Sequence, residues 1–147
     1  MIIRPAEIDD LINVFEWRND PQTRIMSFEN NEVSLDTHTR WYKKALVSED
    51  CYIYIGLEDE EKIGVCRFDL SPHSQSCMIS INFNPMFRGK GFAKSLLTSS
   101  ITEFRKLHSL PISARIKKNN SASIKLFENC GFISSPASDD CLQYVYS

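Results

Sequence analysis

Glycine is scarce in this chain of 147 residues, which contains only five. That count is about half the usual share of about 7%. Collagen-like, disordered and linker-rich chains need much more glycine, serine or proline, so the composition excludes these classes. Because glycines are few, their positions are informative, and Gly89 and Gly91 stand only two residues apart.

Long apolar runs, a strong net charge and closely spaced cysteines are also missing. No run approaches the roughly 20 residues that a membrane-spanning helix needs, and the first residues do not resemble a signal peptide. The net charge of -2 gives no indication of a nucleic-acid or membrane partner. Without a membrane span or a signal peptide, we expect a cytoplasmic protein, in which cysteines favour the free thiol. The five cysteines include no CxxC pair, so we expect no metal site.

The remaining composition is typical of one soluble domain with its own core. Apolar residues make up 42% of the chain and charged residues 24%. No repeat or linker divides the sequence, so we predict a single domain over residues 1–147. The pattern predicts an α/β (α+β) fold with the element order βααβββαβαββ. Its sheet is predicted to contain both parallel and antiparallel strands and to have helices on both faces.

The strand and helix bounds follow from apolar periodicity and turn residues. The predicted strands are Met1–Arg4, Cys51–Leu57, Lys62–Leu70, Cys77–Phe83, Pro111–Ile116, Phe132–Ser134 and Leu142–Tyr146. The predicted helices run from Pro5 to Arg18, from the cap Ser34 past Leu46, from Gly91 to His108, and from Asn120 to Asn129. The segment Gln22–Val33 is predicted as a loop. The buried side of the third helix is predicted to be Ala93, Leu96, Leu97, Ser100, Ile101, Phe104 and Leu107.

A strand-to-helix turn with two glycines, NFNPMFRGKGFA at residues 82–93, is the most informative segment. Backbone N–H groups at a helix start are free and carry partial positive charge, which favours phosphate binding. Glycine permits close approach of a phosphate, and Arg88 and Lys90 add positive charge. The segment does not match the dinucleotide pattern GxGxxG, because Lys94 stands at the third glycine position.

Two motifs resemble the GNAT acyltransferase superfamily. Arg88, Gly91 and Ala93 form the run R-x-x-G-x-A, which resembles the pyrophosphate motif of that superfamily. Downstream, NSASIKLFENCGF at residues 120–132 resembles its N-x-x-S-x-x-L-Y-E-x-x-G-F segment. The two motifs have the expected order and the expected elements, and the resemblance covers nearly the whole chain. The chain therefore resembles an acetyl-CoA-dependent N-acetyltransferase.

The resemblance implies how acetyl-CoA binds. Two adjacent parallel strands, Cys77–Phe83 and Pro111–Ile116, would splay apart within a twisted mixed sheet and hold acetyl-CoA in the opening. The pyrophosphate would contact backbone N–H groups of the glycine turn, and the pantetheine arm would pair with the first strand as an added strand does. The residues implied in acetyl-CoA binding are Ile81, Asn82, Phe83, Arg88, Gly89, Lys90, Gly91, Phe92, Ala93, Asn120, Ser123 and Phe127.

The implied reaction is direct attack of a primary amine on the thioester through a tetrahedral intermediate, which the backbone N–H of Phe83 would stabilise. The chain departs from the superfamily pattern at two positions. Phe127 stands where many relatives have a tyrosine as general acid, and Met78 stands near the usual glutamate base. Either another group protonates the thiolate, or the thiolate leaves unassisted, as a thiol pKa of about 8.5 allows. The candidate replacement residues are Asp69, His73 and Tyr144.

Two N-terminal segments resemble motifs of the branch that acetylates UDP-linked 4-amino sugars. WRNDPQTR at residues 17–24 is similar to W-R-N-x-x-x-x-R, and SLDTHTRW at residues 34–41 is similar to S-x-x-x-H-x-x-W. Arginine binds diphosphate through paired N–H donors, and an aromatic ring such as Phe28 can stack on a base or sugar. The acceptor-binding residues implied are Trp17, Arg18, Asn19, Arg24, His38 and Trp41.

Two other functions stay open. Ribosomal-protein N-terminal acetyltransferases contain the same segments less completely, and the acidic turn Glu58–Glu61 is a weak indication of a peptide acceptor. A non-catalytic acyl-CoA-binding module is the third hypothesis, favoured by the residues at positions 78 and 127. We expect a small-molecule amine acceptor, no nucleic-acid or membrane partner, no metal, and a monomer or homodimer.

Overall fold

Within residues 1–138 and 141–147, which the computed structural model describes, the chain forms seven strands and five α-helices. The strands are β1 (Ile2–Pro5), β2 (Cys51–Glu58), β3 (Glu61–Leu70), β4 (Cys77–Phe83), β5 (Ile112–Lys117), β6 (Ile133–Ser138) and β7 (Cys141–Tyr146). The helices are α1 (Leu11–Asn19), α2 (Pro21–Met26), α3 (Leu35–Val47), α4 (Ala93–Arg105) and α5 (Ser121–Asn129). Short 3-10 turns occupy Ile8–Asp10, Pro72–Ser74 and Pro85–Phe87.

The strands form one mixed sheet in the order β1-β2-β3-β4-β5-β7-β6. β4 and β5 are parallel, and the other neighbouring strands are antiparallel. One apolar core includes Val14, Trp17 and Tyr42 from α1 and α3, and a second core includes Phe104 and Phe127 from α4 and α5. Helices therefore cover both faces of the sheet, which confirms the predicted fold class.

The segment Gln22–Val33, predicted as a loop, begins inside a helix that the sequence pattern did not predict. The carboxylate of Asp20 accepts a hydrogen bond from the N–H of Thr23 at 3.1 Å, and Pro21 occupies the first position of α2. The run Asn19-Asp20-Pro21 ends α1 and also caps α2. The prediction used it only as a helix stop.

Two other helix bounds differ from the prediction. α1 begins at Leu11 rather than near Pro5, because a 3-10 turn precedes it. α4 ends at Arg105, so Leu107 lies beyond the helix and is 62% exposed instead of buried. Ala93 at the start of α4 is half-buried. The other predicted side chains of this face are buried, namely Leu96, Leu97, Ser100, Ile101 and Phe104.

Two glycines that form a cross-strand pair, Gly56 on β2 and Gly64 on β3, let α4 approach the sheet closely. A Cβ atom on Gly56 would lie 2.5 Å from Cδ1 of Leu96, and one on Gly64 would lie 2.8 Å from Cδ2 of the same side chain. A Cβ atom on Gly64 would also lie 2.7 Å from the backbone oxygen of Asn82. Any other residue at either position would therefore force the side chain of Leu96 to shift, and at position 64 it would also press against β4. The glycine pair therefore positions the N-terminus of α4.

Asp10 is a buried carboxylate with two cationic partners. Arg4 donates to it from Nη1 at 2.7 Å and from Nη2 at 2.9 Å, and Nζ of Lys62 lies 2.7 Å away. Burial raises the pKa of Asp10, but these three hydrogen bonds and a fourth from the N–H of Glu7 outweigh burial and hold the pKa at about 2. The network joins β1 and β3 to the turn before α1.

The variant Asp10→Asn should lower the free energy of unfolding by about 2 kcal/mol at pH 7, the energy that corresponds to the lowered pKa. The ordinary pKa of this carboxyl is 3.8, so the stabilisation is complete above that value and is lost as the pH falls through about 2. Urea unfolding of the wild type and of Asp10→Asn at pH 7 and at pH 3 measures the loss of stability and its dependence on pH. The difference in the free energy of unfolding between the two proteins should be smaller at pH 3 than at pH 7.

The control is Asp36→Asn, which removes an exposed ion pair with Arg40 and should change stability by less than about 0.5 kcal/mol. An equal loss in both variants, or a loss independent of pH, would show that the charge of Asp10 does not stabilise the fold.

Candidate active site

The two parallel strands separate after their first residues and open a cleft. Over their described lengths, β4 and β5 pair only through Cys77 with Ile112 and Met78 with Ser113. The N–H of Cys77 also donates to the carbonyl oxygen of Pro111 at 3.0 Å. Beyond these contacts the strands diverge around a cleft of about 800 Å³. The sheet thus contains the splay that the family resemblance implies.

The backbone groups of β4 alternate between its two neighbours, which determines what faces the cleft. The N–H of Asn84 donates to the carbonyl oxygen of Ile63 on the β3 side at 2.8 Å, whereas Cys77 bonds on the β5 side. Residues an even number of positions after Cys77 therefore direct their N–H and C=O groups toward the cleft. Ile81 and Phe83 are two such residues.

The loop between β4 and α4 forms an open cradle at one end of the cleft. Gly89 and Gly91 have left-handed backbone, with φ of 76° and 80°, and a Cβ atom on either residue would meet nothing within 4 Å. Phe92, just before α4, has no side-chain atom that could cap the first turn. Left-handed backbone, open space and uncapped N–H groups suit a phosphate.

The two cations predicted to bind phosphate, Arg88 and Lys90, have partners within the protein. Arg88 lines the cleft, but its guanidinium donates to the carboxylate of Asp20 and, at 3.1 Å, to Oγ1 of Thr23. Although burial raises the pKa of Asp20, the hydrogen bonds from these partners hold it below its ordinary value. Nζ of Lys90 lies 5.4 Å from the ring centroid of Phe87, outside the described lining. The free backbone N–H groups are therefore the donors of the cradle that have no partner side chain.

The first half of α5 forms the opposite wall of the cleft. Oδ1 of Asn120 accepts a hydrogen bond from the N–H of Ser123 at 3.2 Å and caps the helix, while its amide nitrogen is a separate donor. Phe127 also lines the cleft and is 3% exposed, with its ring edge-on to Phe132 at a centroid distance of 4.9 Å. A phenyl ring cannot donate a proton, so Phe127 can only pack against a ligand.

The three residues predicted to transfer protons are absent from the described lining of the cleft. Tyr144 is buried and donates to Oε2 of Glu128 at 3.0 Å, and burial together with this carboxylate raises its pKa. Asp69 accepts a hydrogen bond from Nε of Arg67 at 2.8 Å. His73 is exposed in a 3-10 turn beyond β3. The sequence does not show where these three side chains point, because strand pairing and partner side chains determine their positions.

Of the residues predicted to bind the acceptor, Arg18 and Trp41 line the cleft, whereas Trp17 is 3% exposed in the core. His38 is fully buried, and its Nε2 donates to the carbonyl oxygen of Leu11 at 3.0 Å. Nδ1 of His38 therefore accepts from Arg18, at 3.3 Å. Burial lowers the pKa of His38, which favours the neutral ring that this arrangement needs. His38 orients Arg18 instead of contacting a ligand.

Asn19 and Arg24 also have structural partners and lie outside the described lining. The side chain of Asn19 donates to the carbonyl oxygen of Val33 at 2.7 Å and accepts from its N–H at 2.9 Å. Nε of Arg24 donates to the carbonyl oxygen of Asn19 at 3.1 Å. These hydrogen bonds hold the loop between α2 and α3, part of which lines the cleft.

Two arginines that the motifs did not indicate, Arg67 and Arg115, line the cleft. Arg67 stands between the buried residues Cys66 and Phe68 of β3, so strand alternation places its side chain on the opposite face. Cζ of Arg115 lies 4.4 Å from the ring centroid of Phe28. The available sequence signal for Arg67 was a charged residue between the apolar residues Cys66 and Phe68 of the strand.

Membrane and metal features are absent from the described part of the chain. No helix there is long and apolar enough to cross a bilayer. No group of three histidine, cysteine, aspartate or glutamate side chains in the same residues could hold a metal ion. Burial raises the pKa of the Cys66 thiol to about 12, which is typical of a packed cysteine and not of a nucleophile.

A sheet opened between parallel strands, next to an uncapped helix start, is the architecture of a coenzyme A-dependent acyltransferase domain. Residues 1–133 match the family described as acetyltransferase (GNAT) domain. The chain therefore belongs to the GNAT acetyltransferase family.

Solved structures of other acetyltransferases share this fold. The spermidine N-acetyltransferase of Vibrio cholerae, in complex with CoA and spermine, superposes with a TM-score of 0.86 at 20% identity, covering 99% of this chain and 94% of that chain. The ribosomal-protein-alanine N-acetyltransferase of Brucella melitensis gives a TM-score of 0.84 at 20% identity, covering 99% of both chains. At such identities the likeness establishes the fold alone.

A curated relative is similar over part of its length. The [ribosomal protein bS18]-alanine N-acetyltransferase of Haemophilus ducreyi is 22% identical over 94 residues. The match includes 63% of this chain and 65% of that protein, so the chain spans less than two thirds of the relative.

The variant Gly91→Ala should weaken acetyl-CoA binding about tenfold, because its methyl group enters the open cradle that the phosphate would occupy. The left-handed backbone strain of roughly 1–2 kcal/mol should lower the stability of this variant, bound or free. Titration calorimetry with acetyl-CoA measures the affinity, and thermal unfolding measures the stability.

The matched control is Gly131→Ala, at a second left-handed glycine with φ of 94° located after α5. Its added methyl group would meet only the ring of Tyr146, at 3.5 Å, so this variant should lose stability and keep its affinity. If Gly91→Ala binds acetyl-CoA as tightly as Gly131→Ala, the phosphate does not occupy the cradle.

Proposed function

We propose that this protein transfers the acetyl group of acetyl-CoA to a primary amine. The opening between β4 and β5 is the observation that supports this function best, because it joins two features that a coenzyme A thioester needs. The cradle at Gly89 and Gly91 suits the pyrophosphate. Along the open edge of β4, Ile81 and Phe83 offer backbone groups to the amides of the pantetheine arm.

The opposite wall completes this binding arrangement. The amide nitrogen of Asn120 is a donor for the pantetheine arm from the α5 side, and Ser123 lies one turn further along the helix. The apolar ring of Phe127 packs against the thioester end. Asn82 directs its side chain to the other face of the sheet, where Arg67 also lies, and contributes to the acceptor side of the cleft.

We assign stabilisation of the thioester oxygen to the backbone N–H of Phe83. That oxygen becomes negative as the amine adds, and an N–H already directed into the cleft can donate to it without rearrangement. Loss of a comparable donor costs other enzymes about 3–4 kcal/mol. The last residue of β4 thus both holds the substrate and stabilises the developing charge.

We assign removal of the amine proton to Glu29, which is the only carboxylate among the described residues that line the cleft. Histidine, tyrosine and cysteine are missing from the same described lining. Glu29 is exposed in the loop between α2 and α3, so it can pass the proton on to water. The thiolate leaves without an acid, because an ordinary thiol has a pKa of only about 8.5.

For the acceptor we propose a UDP-linked 4-amino sugar. Arg18 and Trp41, which come from the two N-terminal segments, both line the cleft. A guanidinium can bind the diphosphate through paired donors, and an indole can stack on the base or the sugar ring.

The terminal amine of a ribosomal protein is the second candidate acceptor. The named activities of the Haemophilus ducreyi relative and of the Brucella melitensis structure favour it. A non-catalytic acyl-CoA-binding module is the third candidate, since Phe127 gives the cleft no proton donor at that wall.

Release of free thiol from acetyl-CoA should distinguish these candidates. We expect release with a UDP-4-amino sugar and much slower release with a peptide that begins with alanine or with spermidine. Release of thiol with the peptide and with no other amine would refute the sugar acceptor and support a protein acceptor. Binding of acetyl-CoA without release on any amine would refute acetyl transfer.

The variant Glu29→Gln should lower kcat/KM about 100-fold at a pH below the pKa of the acceptor amine, because a general base contributes on this scale. The loss should shrink at higher pH, where the amine is already neutral, and acetyl-CoA affinity should not change. Glu32→Gln, in the same loop but outside the described lining, is the matched control. Equal rates in the two variants at every pH would exclude Glu29 as the base.

A further inference from the structure

Two guanidinium groups lie against one indole ring on the acceptor side of the cleft. Cζ of Arg18 is 5.2 Å from the ring centroid of Trp41, and Cζ of Arg67 is 5.1 Å from it. α1, β3 and α3 each contribute one of these side chains, which are half-buried and line the cleft. We name this group the Arg18–Trp41–Arg67 cluster.

The cluster has more positive charge than its described surroundings neutralise. In the described part of the chain, Asp69 is the one carboxylate in ion-pair contact with either guanidinium, 2.8 Å from Nε of Arg67. Burial and the charge of Arg67 lower the pKa of Arg18, and the more distant charge of Glu29 opposes them. The positive charges of Arg18 and Arg67 thus disfavour each other, so an anion beside them would be stabilised.

The surroundings of the cluster also suit a polar ligand. Ser80 and Asn82 join the three cluster residues in lining a side chamber of about 30 Å³, whose other lining residues are the apolar Val14, Ile53 and Val65. The chamber has room for about one water molecule, so an anion would lie in the main cleft. Ser80 and Asn82 also line that cleft, where their hydroxyl and amide groups can donate hydrogen bonds. Nδ1 of the buried His38 accepts a hydrogen bond from Arg18, so the guanidinium of Arg18 has a defined position before any ligand binds. A preoriented guanidinium loses little freedom when it binds an anion.

We propose that the Arg18–Trp41–Arg67 cluster binds an anionic group of the acceptor, a diphosphate or a carboxylate, and thereby selects anionic amines over polyamines. The proposal rests on the proposed acetyl transfer and adds to it a substrate class and the specificity-determining residue Arg67. Guanidinium groups bind both kinds of anion through paired N–H donors.

A polyamine is a poor fit to this lining. The described residues around the cleft include four arginines and one glutamate, namely Arg18, Arg67, Arg88, Arg115 and Glu29. Arg67 is paired with Asp69 and Arg88 with Asp20, whereas Arg18 and Arg115 have no ion pair among the described residues. These two cations would repel an ammonium group of a polyamine. The chain shares its fold with a spermidine N-acetyltransferase, but the charge of its cleft favours a ligand of the opposite sign.

Titration calorimetry on the full chain tests the proposal, with CoA present at saturation so that the phosphate cradle is occupied. The ligands are UDP, inorganic diphosphate, succinate and spermidine. We expect at least one anion to bind and spermidine not to bind. If diphosphate binds and succinate does not, the acceptor carries a phosphate. If succinate binds and diphosphate does not, the acceptor carries a carboxylate. If no anion binds, or if spermidine binds as tightly as the best anion, the proposal is overturned.

The variant Arg67→Gln should weaken binding of the preferred anion about tenfold, the usual scale for one charge-assisted hydrogen bond. Its CoA affinity and melting temperature should stay at wild-type values. Arg67→Lys keeps the charge without the paired donors and should give a smaller loss. Arg40→Gln, on the same helix as Trp41 but exposed and paired with Asp36, is the control. Unchanged anion affinity in Arg67→Gln, or an equal loss of CoA affinity, overturns the proposal.

Thiol release separates this proposal from the proposed function. Anion binding that depends on Arg67, without release on any amine, supports the cluster and refutes acetyl transfer. Transfer to neutral or cationic amines at a KM that Arg67→Gln does not change supports acetyl transfer and overturns the cluster.

Discussion

Two register pairs, Cys77 with Ile112 and Met78 with Ser113, hold β4 and β5 together before the strands separate. Every proposed role in the cleft depends on that separation. Backbone groups that leave a sheet must find other partners or water, because an unpaired polar group in a dry environment is costly. The groups of Ile81 and Phe83 at the open edge therefore favour a ligand with amide donors and acceptors, which the pantetheine arm of coenzyme A has.

The parts around the opening are fixed by contacts that are distant in the sequence. Leu96 fits against the pair of Gly56 and Gly64, so α4 begins beside the end of β4. On the other side, the segment around α2 contacts both the cradle and β5. Arg88 of the cradle binds Asp20 before α2, and Nζ of Lys117 on β5 donates to the carbonyl oxygen of Ile25 near its end at 3.1 Å. These contacts set the width of the cleft.

Local patterns predicted the fold class, the strand order along the chain, the glycine cradle and the capped helix at Asn120, because each depends on residues within a few positions. The acceptor residues were harder to predict. Trp17 and His38 belong to motifs but are buried, whereas Arg67 belongs to no motif and lines the cleft. A motif preserves spacing along the chain, and spacing does not say whether a side chain meets the core or the solvent.

The sequence by itself predicted an α/β fold with a glycine-containing turn before a helix, since periodicity and closely spaced glycines are local features. The net charge of -2 gave no indication of a cationic cleft. Only the tertiary structure brought Arg18 and Arg67 to Trp41, kept Tyr144 bonded to Glu128, and left Glu29 as the one carboxylate of the described lining. Charge and proton transfer depend on distances between side chains, and those distances exist only after the helices and strands have packed.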